Sequence, residues 1–289
     1  SSYVRYAQYE YDLLHARVDR WARRREVLEA YWRGLMADWR GPSKIAFCDS
    51  FLSCDVHSDT GINRAREDIE SSERDSILAG ARNCDVWVAS LCHTAFVLTY
   101  AASAATVSSK AARNLEVSSA SGAPTPKDIV YGLTSSGRSC EVSDSAKIVG
   151  PVINTFPVRV QIAATSQKSG SSVKVLAQSI QAQIVRSMAH ESLPLAEIQR
   201  QVGPEHRGKR MFNAVFDYQQ EAWDLTHGDL RLARSRLLDS VGVPLTLRVI
   251  NEAGKGLIQL HATSESQEFG QECLSEFLQT FRETLLAIG

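Results

Sequence analysis

The spacing of apolar residues predicts a helix near the start of the chain. Between residues 10 and 40, apolar side chains recur at steps of three and four, at Leu14, Val18, Trp21, Leu28, Trp32 and Leu35. This spacing places them along one face of an α-helix. Gly41-Pro42 follows the pattern and stops it. We therefore predict one long helix over this segment.

A pair of helices is predicted next, at residues 69–83 and 85–102. The second is apolar almost all round, which is typical of a helix inside the core. His93 lies on it and is interpreted as a hydrogen-bonded core residue rather than a catalytic base or a ligand. Residues 102–126 then hold six Ser and seven Ala. This composition predicts a flexible surface insertion.

The remainder of the chain alternates between strand and helix spacing, which predicts an α/β layer with a mixed sheet. Pro157 lies inside one predicted strand and cannot donate a ladder hydrogen bond, so that strand is expected at an edge or a bulge. The predicted strands are 128–135, 153–162, 211–218, 230–238 and a hairpin pairing residues 245–249 with 258–262. The predicted helices are 171–189, 194–202 and 269–288.

Composition and charge narrow the functional classes. The 289 residues carry 32 basic and 33 acidic side chains, for a net charge of −1, which gives no electrostatic reason to expect nucleic acid or an anionic membrane as a partner. The first residues lack the pattern of a secretory signal. The six cysteines form no Cys-x-x-Cys pair, so we expect no zinc site and a reducing, cytoplasmic location. The arginines at 20 and 23–25 are either a solvated helix face or a partner site.

Common catalytic motifs are missing from the sequence. There is no glycine-rich phosphate loop, and Ser135-Ser136-Gly137-Arg138-Ser139 lacks the first glycine of a nucleophile elbow. The seven histidines are dispersed along the chain. Taken alone, these residues indicate an α/β protein without a recognisable active site.

Several segments, in one order, carry a family resemblance. Tyr3-Val-Arg-Tyr-Ala-Gln-Tyr9 is similar to Tyr-x-Asp-Phe/Tyr-Ala-x-Trp, with Arg5 and Tyr9 as departures. Ala30-Tyr-Trp-Arg-Gly-Leu35 follows it. The others are Tyr131-Gly to Ser136-Gly-Arg138, Ile148-Val-Gly-Pro-Val-Ile-Asn-Thr-Phe-Pro-Val-Arg159, His190-Glu-Ser-Leu-Pro-Leu195 and Arg210-Met-Phe-Asn-Ala-Val-Phe-Asp-Tyr-Gln219. Together they resemble the condensation domains of nonribosomal peptide synthetases, and details such as Gly150-Pro151 resemble fungal members.

The resemblance implies a fold for this chain, and it also shows that the catalytic signature of the family is absent from the sequence. The family has the chloramphenicol acetyltransferase-like fold, in which two α/β lobes enclose a tunnel that carrier-protein phosphopantetheine arms enter from both ends. Its signature, His-His-x-x-x-Asp-Gly, contains the histidine that assists attack of an amine on a thioester, and this chain has no His-His pair. We therefore expect residues 1–44 to be a lead-in helix between lobes and residues 45–289 to be the C-terminal lobe. The catalytic histidine is expected upstream of Ser1, and the isolated chain is expected to be inactive.

The resemblance also assigns candidate tunnel residues: Asn154, Thr155, Arg159, Ser136, Gly137, Arg138, Tyr218 and Gln219. Asn154 either orients substrate or the catalytic loop, or satisfies backbone groups at a strand end. Arg159 is interpreted first as a structural ion-pair residue and second as a substrate contact. Ser136-Gly137-Arg138 would begin the loop that forms the tunnel floor, and a latch-like crossing segment is expected at about 219–230. No metal and no directly bound cofactor is expected.

Three functions remain open at this stage. The first is a part of a condensation domain that joins carrier-bound acyl and aminoacyl groups, with the N-terminal lobe and carrier domains as partners. The second is a non-catalytic docking or scaffold module for carrier proteins. The third is an ester-forming or macrocyclising terminal domain. A lobe that packs against a partner lobe should also expose a broad apolar face.

Overall fold

The computed structural model describes residues 2–15, 20–42, 61–114, 127–140, 142–162, 170–220, 226–227, 230–231, 242–265 and 269–289. The helices are α1 (Ser2–His15), α2 (Arg20–Leu35), α3 (Ser71–Cys84), α4 (Val88–Asn114), α5 (Gly170–Met188), α6 (Leu195–Val202) and α7 (Gln271–Ile288). The strands are β1 (Ile62–Ile69), β2 (Lys127–Ser135), β3 (Asn154–Ile162), β4 (Ala214–Gln220), β5 (Thr226–His227), β6 (Leu230–Arg231), β7 (Leu245–Glu252) and β8 (Leu257–Glu265).

Six strands form the mixed sheet that the sequence pattern predicts, in the order β1-β8-β7-β4-β2-β3. β4 pairs in parallel with both β2 and β7, while β3 runs antiparallel to β2 and places Asn154 opposite Ser135. The ends of β2, β4 and β7 and the start of β3 therefore lie at one edge of the sheet, which we call the carboxyl edge. In α/β sheets this edge is where ligand sites usually form.

The helices α3, α4, α5 and α7 cover one face of the sheet. α4 is the centre of this layer, because its residues from Leu91 to Val97 are all buried. The Phe96 ring lies 5.3 Å from the ring of Phe216 on β4 and 6.3 Å from that of Phe277 on α7. The apolar character of α4 on all sides therefore reflects its place between the sheet and the other helices.

The N-terminal segment folds as two helices, so the prediction of one long helix is wrong. Tyr9 on α1 and Trp21 on α2 contact each other with ring centroids 5.5 Å apart. Twelve residues of continuous helix would separate them by about 18 Å, so α1 and α2 are not parts of one straight helix. The apolar spacing keeps the same period from one helix to the next, which is why the pattern alone does not separate them. Trp32 on α2 is fully buried in the main core.

Several predicted boundaries need correction. α4 continues to Asn114, so the prediction that this helix ends near residue 102 is wrong, and residues 115–126 of the predicted insertion lie outside the described residues. β6 pairs with β5 in a separate two-stranded ribbon rather than with the main sheet. Parts of the predicted latch, residues 221–225 and 228–229, and the rest of the predicted strand, 232–238, also lie outside the described residues.

Other predicted elements are confirmed. The chain has a hairpin of β7 and β8 with antiparallel register. β3 is the outermost strand of the sheet, and Pro157 pairs opposite Gly132. A strand with a missing N–H is tolerated there because none of the described strands pairs with its other side.

The expected broad apolar face is not met by the described residues. Their exposed large apolar side chains are spread over α1, α2, the residue before α4, the loop before β3 and α5: Val4, Tyr11, Val27, Trp87, Val149, Ile153, Val175 and Val185. Away from the helices, the sheet carries a row of charged or titratable residues in register across β4, β7, β8 and β1, namely Asp217, Arg248, His261 and Arg66. Any contact made by this part of the sheet is therefore polar.

None of the described helices is by itself long and apolar enough to cross a membrane. α3 and the first part of α4 pass that test only as a pair, with a bend of 96° between them.

Candidate functional site

A cavity of about 90 Å³ lies at the carboxyl edge. Its walls come from α1, from the loop that follows β2, from the start of β3 and from the turn between α5 and α6; the lining residues are Tyr6, Tyr9, Glu10, Gly137, Cys140, Pro151, Ile153, Asn154, Glu191, Ser192 and Pro194. Sites that enclose a whole organic ligand usually measure about 300–1,000 Å³. This cavity is therefore large enough for a small polar group but not for a complete acyl or aminoacyl substrate.

Glu191 is the buried acid of this cavity, with 2% of its surface exposed. The Ser135 hydroxyl, at the end of β2, donates a short hydrogen bond to Glu191 Oε2. The backbone N–H of Ser139 donates to Glu191 Oε1 at 3.3 Å. Ser135 Oγ in turn accepts the N–H of Gly137 at 3.2 Å. The carboxylate thus holds the end of β2 and the first residues of the following loop.

Asn154 is bound to the same turn. Its Nδ2 donates a short hydrogen bond to the backbone carbonyl of Glu191, and its Oδ1 accepts the N–H of Thr155 at 2.8 Å. Both ends of the side-chain amide therefore satisfy backbone groups, as in the strand-end interpretation. Asn154 also lines the cavity, so its side chain borders any group that enters there.

The turn that carries Glu191 is fixed by α1 and α2. The Tyr9 hydroxyl donates to Ser192 Oγ at 3.0 Å. The indole N–H of Trp32 donates to the carbonyl of His190 at 3.0 Å, and the ring of Tyr31 stacks on the His190 ring at 4.0 Å. The N-terminal helices therefore position the cavity wall through a few hydrogen bonds and ring contacts.

The loop after β2 has a backbone that only glycine fits at residue 137. Gly137 has φ of +65°, and a Cβ there would lie 1.6 Å from the carbonyl oxygen of Val152. Arg138 then closes the loop, because its guanidinium donates to the carbonyls of Ser145 and Ile148 at 2.9 and 2.8 Å. Ser136 is exposed beside this turn.

Arg159 lies away from the cavity, near the middle of β3. It is 8% exposed and forms an ion pair with Asp128 on β2, with a shortest distance of 2.6 Å from Nη2 to Oδ2. Its Nη1 also donates to the carbonyls of Leu35, at 3.1 Å, and Ala37. The side chain therefore joins the edge of the sheet to the end of α2.

Tyr218 and Gln219 reach the carboxyl edge at the end of β4, but neither lines the cavity. The Tyr218 hydroxyl accepts a hydrogen bond from Asn251 Nδ2 at 3.2 Å, and burial raises the pKa of Tyr218 to about 12. Gln219 Nε2 donates to Asp217 Oδ2 at 2.8 Å. Of the predicted tunnel residues, the structure thus brings Gly137 and Asn154 to the cavity wall.

The structure adds cavity residues that the sequence analysis does not assign. Tyr6 donates its hydroxyl to Glu10 at 2.7 Å, and burial, with this acceptor, raises the pKa of Tyr6 above its ordinary value. Glu191 lies within a segment that carries the resemblance, so its neighbourhood is identifiable from the sequence. The hydrogen bonds of its carboxylate cannot be identified in this way, because they join residues more than 50 positions apart.

Comparisons with known proteins identify a family and a shared fold. The family model described as Condensation domain matches residues 124–289. Nonribosomal peptide synthetase 5 of Gibberella zeae is 25% identical over 167 residues, which are 56% of this chain and 1% of that protein. The chain therefore spans a small fraction of this curated relative.

Solved structures with the same fold include two kinds of domain. The X-domain from teicoplanin biosynthesis has a TM-score of 0.72 and 14% identity, covering 98% of this chain and 58% of its own. An X-domain from the same biosynthesis is also solved in complex with OxyB, with a TM-score of 0.70. The condensation domain of the Monacolin K polyketide synthase MokA has a TM-score of 0.68 and 14% identity, covering 92% of this chain and 59% of its own.

Proposed function

The chain belongs to the condensation-domain family of nonribosomal peptide synthetases, and on that premise we propose that it is the C-terminal lobe of a domain that joins two carrier-bound groups. The family match over residues 124–289 is the observation that carries this proposal. The fold shared with a solved condensation domain supports it. So does the cavity at the carboxyl edge, because it is built from the segments of the family motifs around Gly137, Asn154 and Glu191.

The proposed reaction forms an amide, or an ester, from a thioester. The acceptor nitrogen attacks the donor carbonyl carbon, a C–N bond forms, the C–S bond breaks, and the proton lost by the amine leaves with the thiol. Such a step depends on holding two reactants in line and excluding water. We assign this chain the positioning role, with Asn154 and the loop at Gly137 forming one wall of the tunnel and the catalytic histidine supplied from upstream of Ser1.

The partners follow from the same proposal. They are the N-terminal lobe of the domain and the carrier domains, whose phosphopantetheine arms deliver both substrates in the cytoplasm. The chain itself binds no cofactor and no metal in this account. Residues 219–230 are proposed as the latch toward the N-terminal lobe.

The coding sequence upstream of Ser1 provides a simple test of this proposal. We expect it to encode His-His-x-x-x-Asp-Gly in frame within the preceding lobe. A stop codon or an unrelated domain directly before Ser1 would contradict the assignment.

A second candidate is a non-catalytic module that docks carrier proteins. The observation that supports docking is a structural relative, an X-domain, solved in complex with another protein, OxyB. A binding assay and a condensation assay on the complete domain separate the two. Carrier binding with product formation supports condensation, whereas binding without product supports docking. Replacing the amine acceptor by a hydroxyl acceptor in the same assay identifies an ester-forming domain.

A further inference from the structure

We propose that Glu191 is a positioning residue of the condensation reaction: its carboxylate fixes the start of the cavity loop, which we define as residues 136–153. This inference rests on the proposed function. Glu191 acts through the loop, because its carboxylate oxygens bind Ser135 and Ser139 on either side of the loop's first turn. The loop contributes Gly137, Cys140 and other residues to the cavity wall.

The burial of this acid is costly and so calls for a role. A carboxylate that is 2% exposed loses most of its hydration, and hydrogen bonds must replace it. The described donors to Glu191 are a hydroxyl and a backbone N–H, both neutral. An apolar side chain of similar volume would fill the site at lower cost. An apolar side chain could not bind the end of β2 and the cavity loop at the same time.

The two hydrogen bonds of Glu191 allow its role to be tested by substitutions that keep or remove the bonding groups. Glutamate offers an acceptor to each donor. Glutamine offers one acceptor, which suits the N–H of Ser139, and an NH₂ group, which can donate to the Ser135 oxygen. Alanine offers neither. We therefore expect the cavity loop to be held most firmly with glutamate at residue 191, less firmly with glutamine and least firmly with alanine.

The contact of Asn154 helps to distinguish the effect of the Glu191 side chain from the effect of the turn that carries it. It binds the backbone carbonyl of Glu191, which is unchanged by any substitution of the side chain. Replacing Glu191 therefore releases the cavity loop while leaving the Asn154 contact in place. Because a shift of about 1 Å in a positioning group can cost roughly a hundredfold in rate, the release should lower kcat more than it raises KM.

Glu197 provides a matched control. It is also a glutamate, lies on α6 close to the same turn, and forms ion pairs with Arg25 at 3.2 Å and with Arg200. It does not line the cavity. A loss of activity caused only by weaker packing in this region should appear in Glu197→Ala as well.

The experiment measures condensation by the complete synthetase module that contains this chain, with donor and acceptor groups loaded on its carrier domains. We expect Glu191→Ala to lower kcat at least tenfold with KM for the loaded acceptor carrier changed less than twofold. Glu191→Gln should keep kcat within about threefold of wild type, and Glu197→Ala should match wild type. Ser135→Ala removes one of the two donors and should lower kcat by an intermediate amount. If Glu191→Ala does not fold, Ser135→Ala takes its place in the test.

Amide hydrogen exchange over residues 136–153 is the second readout. It should accelerate in Glu191→Ala and remain close to wild type in Glu191→Gln and Glu197→Ala. Normal kcat in a folded Glu191→Ala variant, or equal losses in Glu191→Ala and Glu197→Ala, would overturn the inference alone. Absence of product from the wild-type module would instead overturn the proposed function, and this inference with it.

Discussion

His93 is a buried core residue, although histidine side chains often act as catalytic bases or metal ligands. Its ring is 2% exposed, and Nδ1 lies 2.9 Å from the Tyr131 hydroxyl oxygen, so the prediction of a hydrogen-bonded core histidine is confirmed. Removal from water lowers its pKa from 6.5 to about 3. The sequence could indicate this role because an apolar helix surrounds the residue. It could not indicate Glu191, whose partners come from distant segments.

His93 should therefore make stability depend on pH. Its folded pKa lies below the unfolded value of 6.5, so protonation favours unfolding, and stability is lost as pH falls from about 6.5 toward 3. Linkage gives a loss of about 2 kcal/mol between pH 8 and pH 5 from this residue. His261, whose pKa is lowered by burial and then by Arg66 and Arg248, adds in the same direction. Urea unfolding at both pH values should show a smaller loss for His93→Gln, and equal losses would contradict this reasoning.

Gly137 provides a second prediction at the level of single residues. Gly137→Ala should destabilise the fold by about 2 kcal/mol or more, because it adds left-handed strain and a collision with the Val152 carbonyl. Gly34→Ala is the matched control, since that helical glycine has nothing within 4 Å of an added Cβ. Its expected change is a gain of about 0.5–1 kcal/mol. Urea unfolding measures both, and a neutral Gly137→Ala would be inconsistent with the loop geometry.

At the level of secondary structure, the spacing of apolar residues predicts elements that depend on contacts between residues close in sequence. It does not predict features that depend on contacts between distant residues. The β7–β8 hairpin and α5 follow from the spacing of their apolar residues. The division of the N-terminal segment into α1 and α2 does not, because the apolar period continues from one helix to the next although Tyr9 packs on Trp21. The spacing pattern also misplaces the end of α4, because a run of Ser and Ala fits both a flexible segment and a helix. The outer position of β3 was predictable from Pro157.

The ion pair of Arg159 and Asp128 should stabilise the outer strand and its contact with α2. Arg159→Met leaves Asp128 without this partner and leaves the carbonyls of Leu35 and Ala37 without the guanidinium donor. We expect a loss of about 2–3 kcal/mol, below the usual range for a fully buried pair because Asp128 is 32% exposed. Asp68→Asn, in an exposed pair with Arg66, should change stability by less than about 1 kcal/mol. Equal effects of the two variants in urea unfolding would contradict this account of β3.

For the whole molecule, the sequence predicts the class of sheet but not its strand order. A period of two residues marks a strand without naming its neighbour, and β1 pairs with β8 from the far end of the chain. The family motifs gave the approximate place of the site, because Gly137, Asn154 and Glu191 converge at one cavity. The ion pair of Arg159 with Asp128 agrees with its first interpretation as a structural residue, although Arg159 belongs to the same motif as Asn154.

Single-turnover condensation tests the central proposal most directly. The complete domain, with the natural sequence upstream of Ser1, is mixed with donor and acceptor carrier domains, and intact mass spectrometry follows the acceptor carrier. We predict that the donor acyl group moves onto the acceptor carrier, and that substitution of the upstream signature histidine prevents this transfer. Absence of the new species from the folded wild-type domain, with both carriers loaded and bound, would contradict the account.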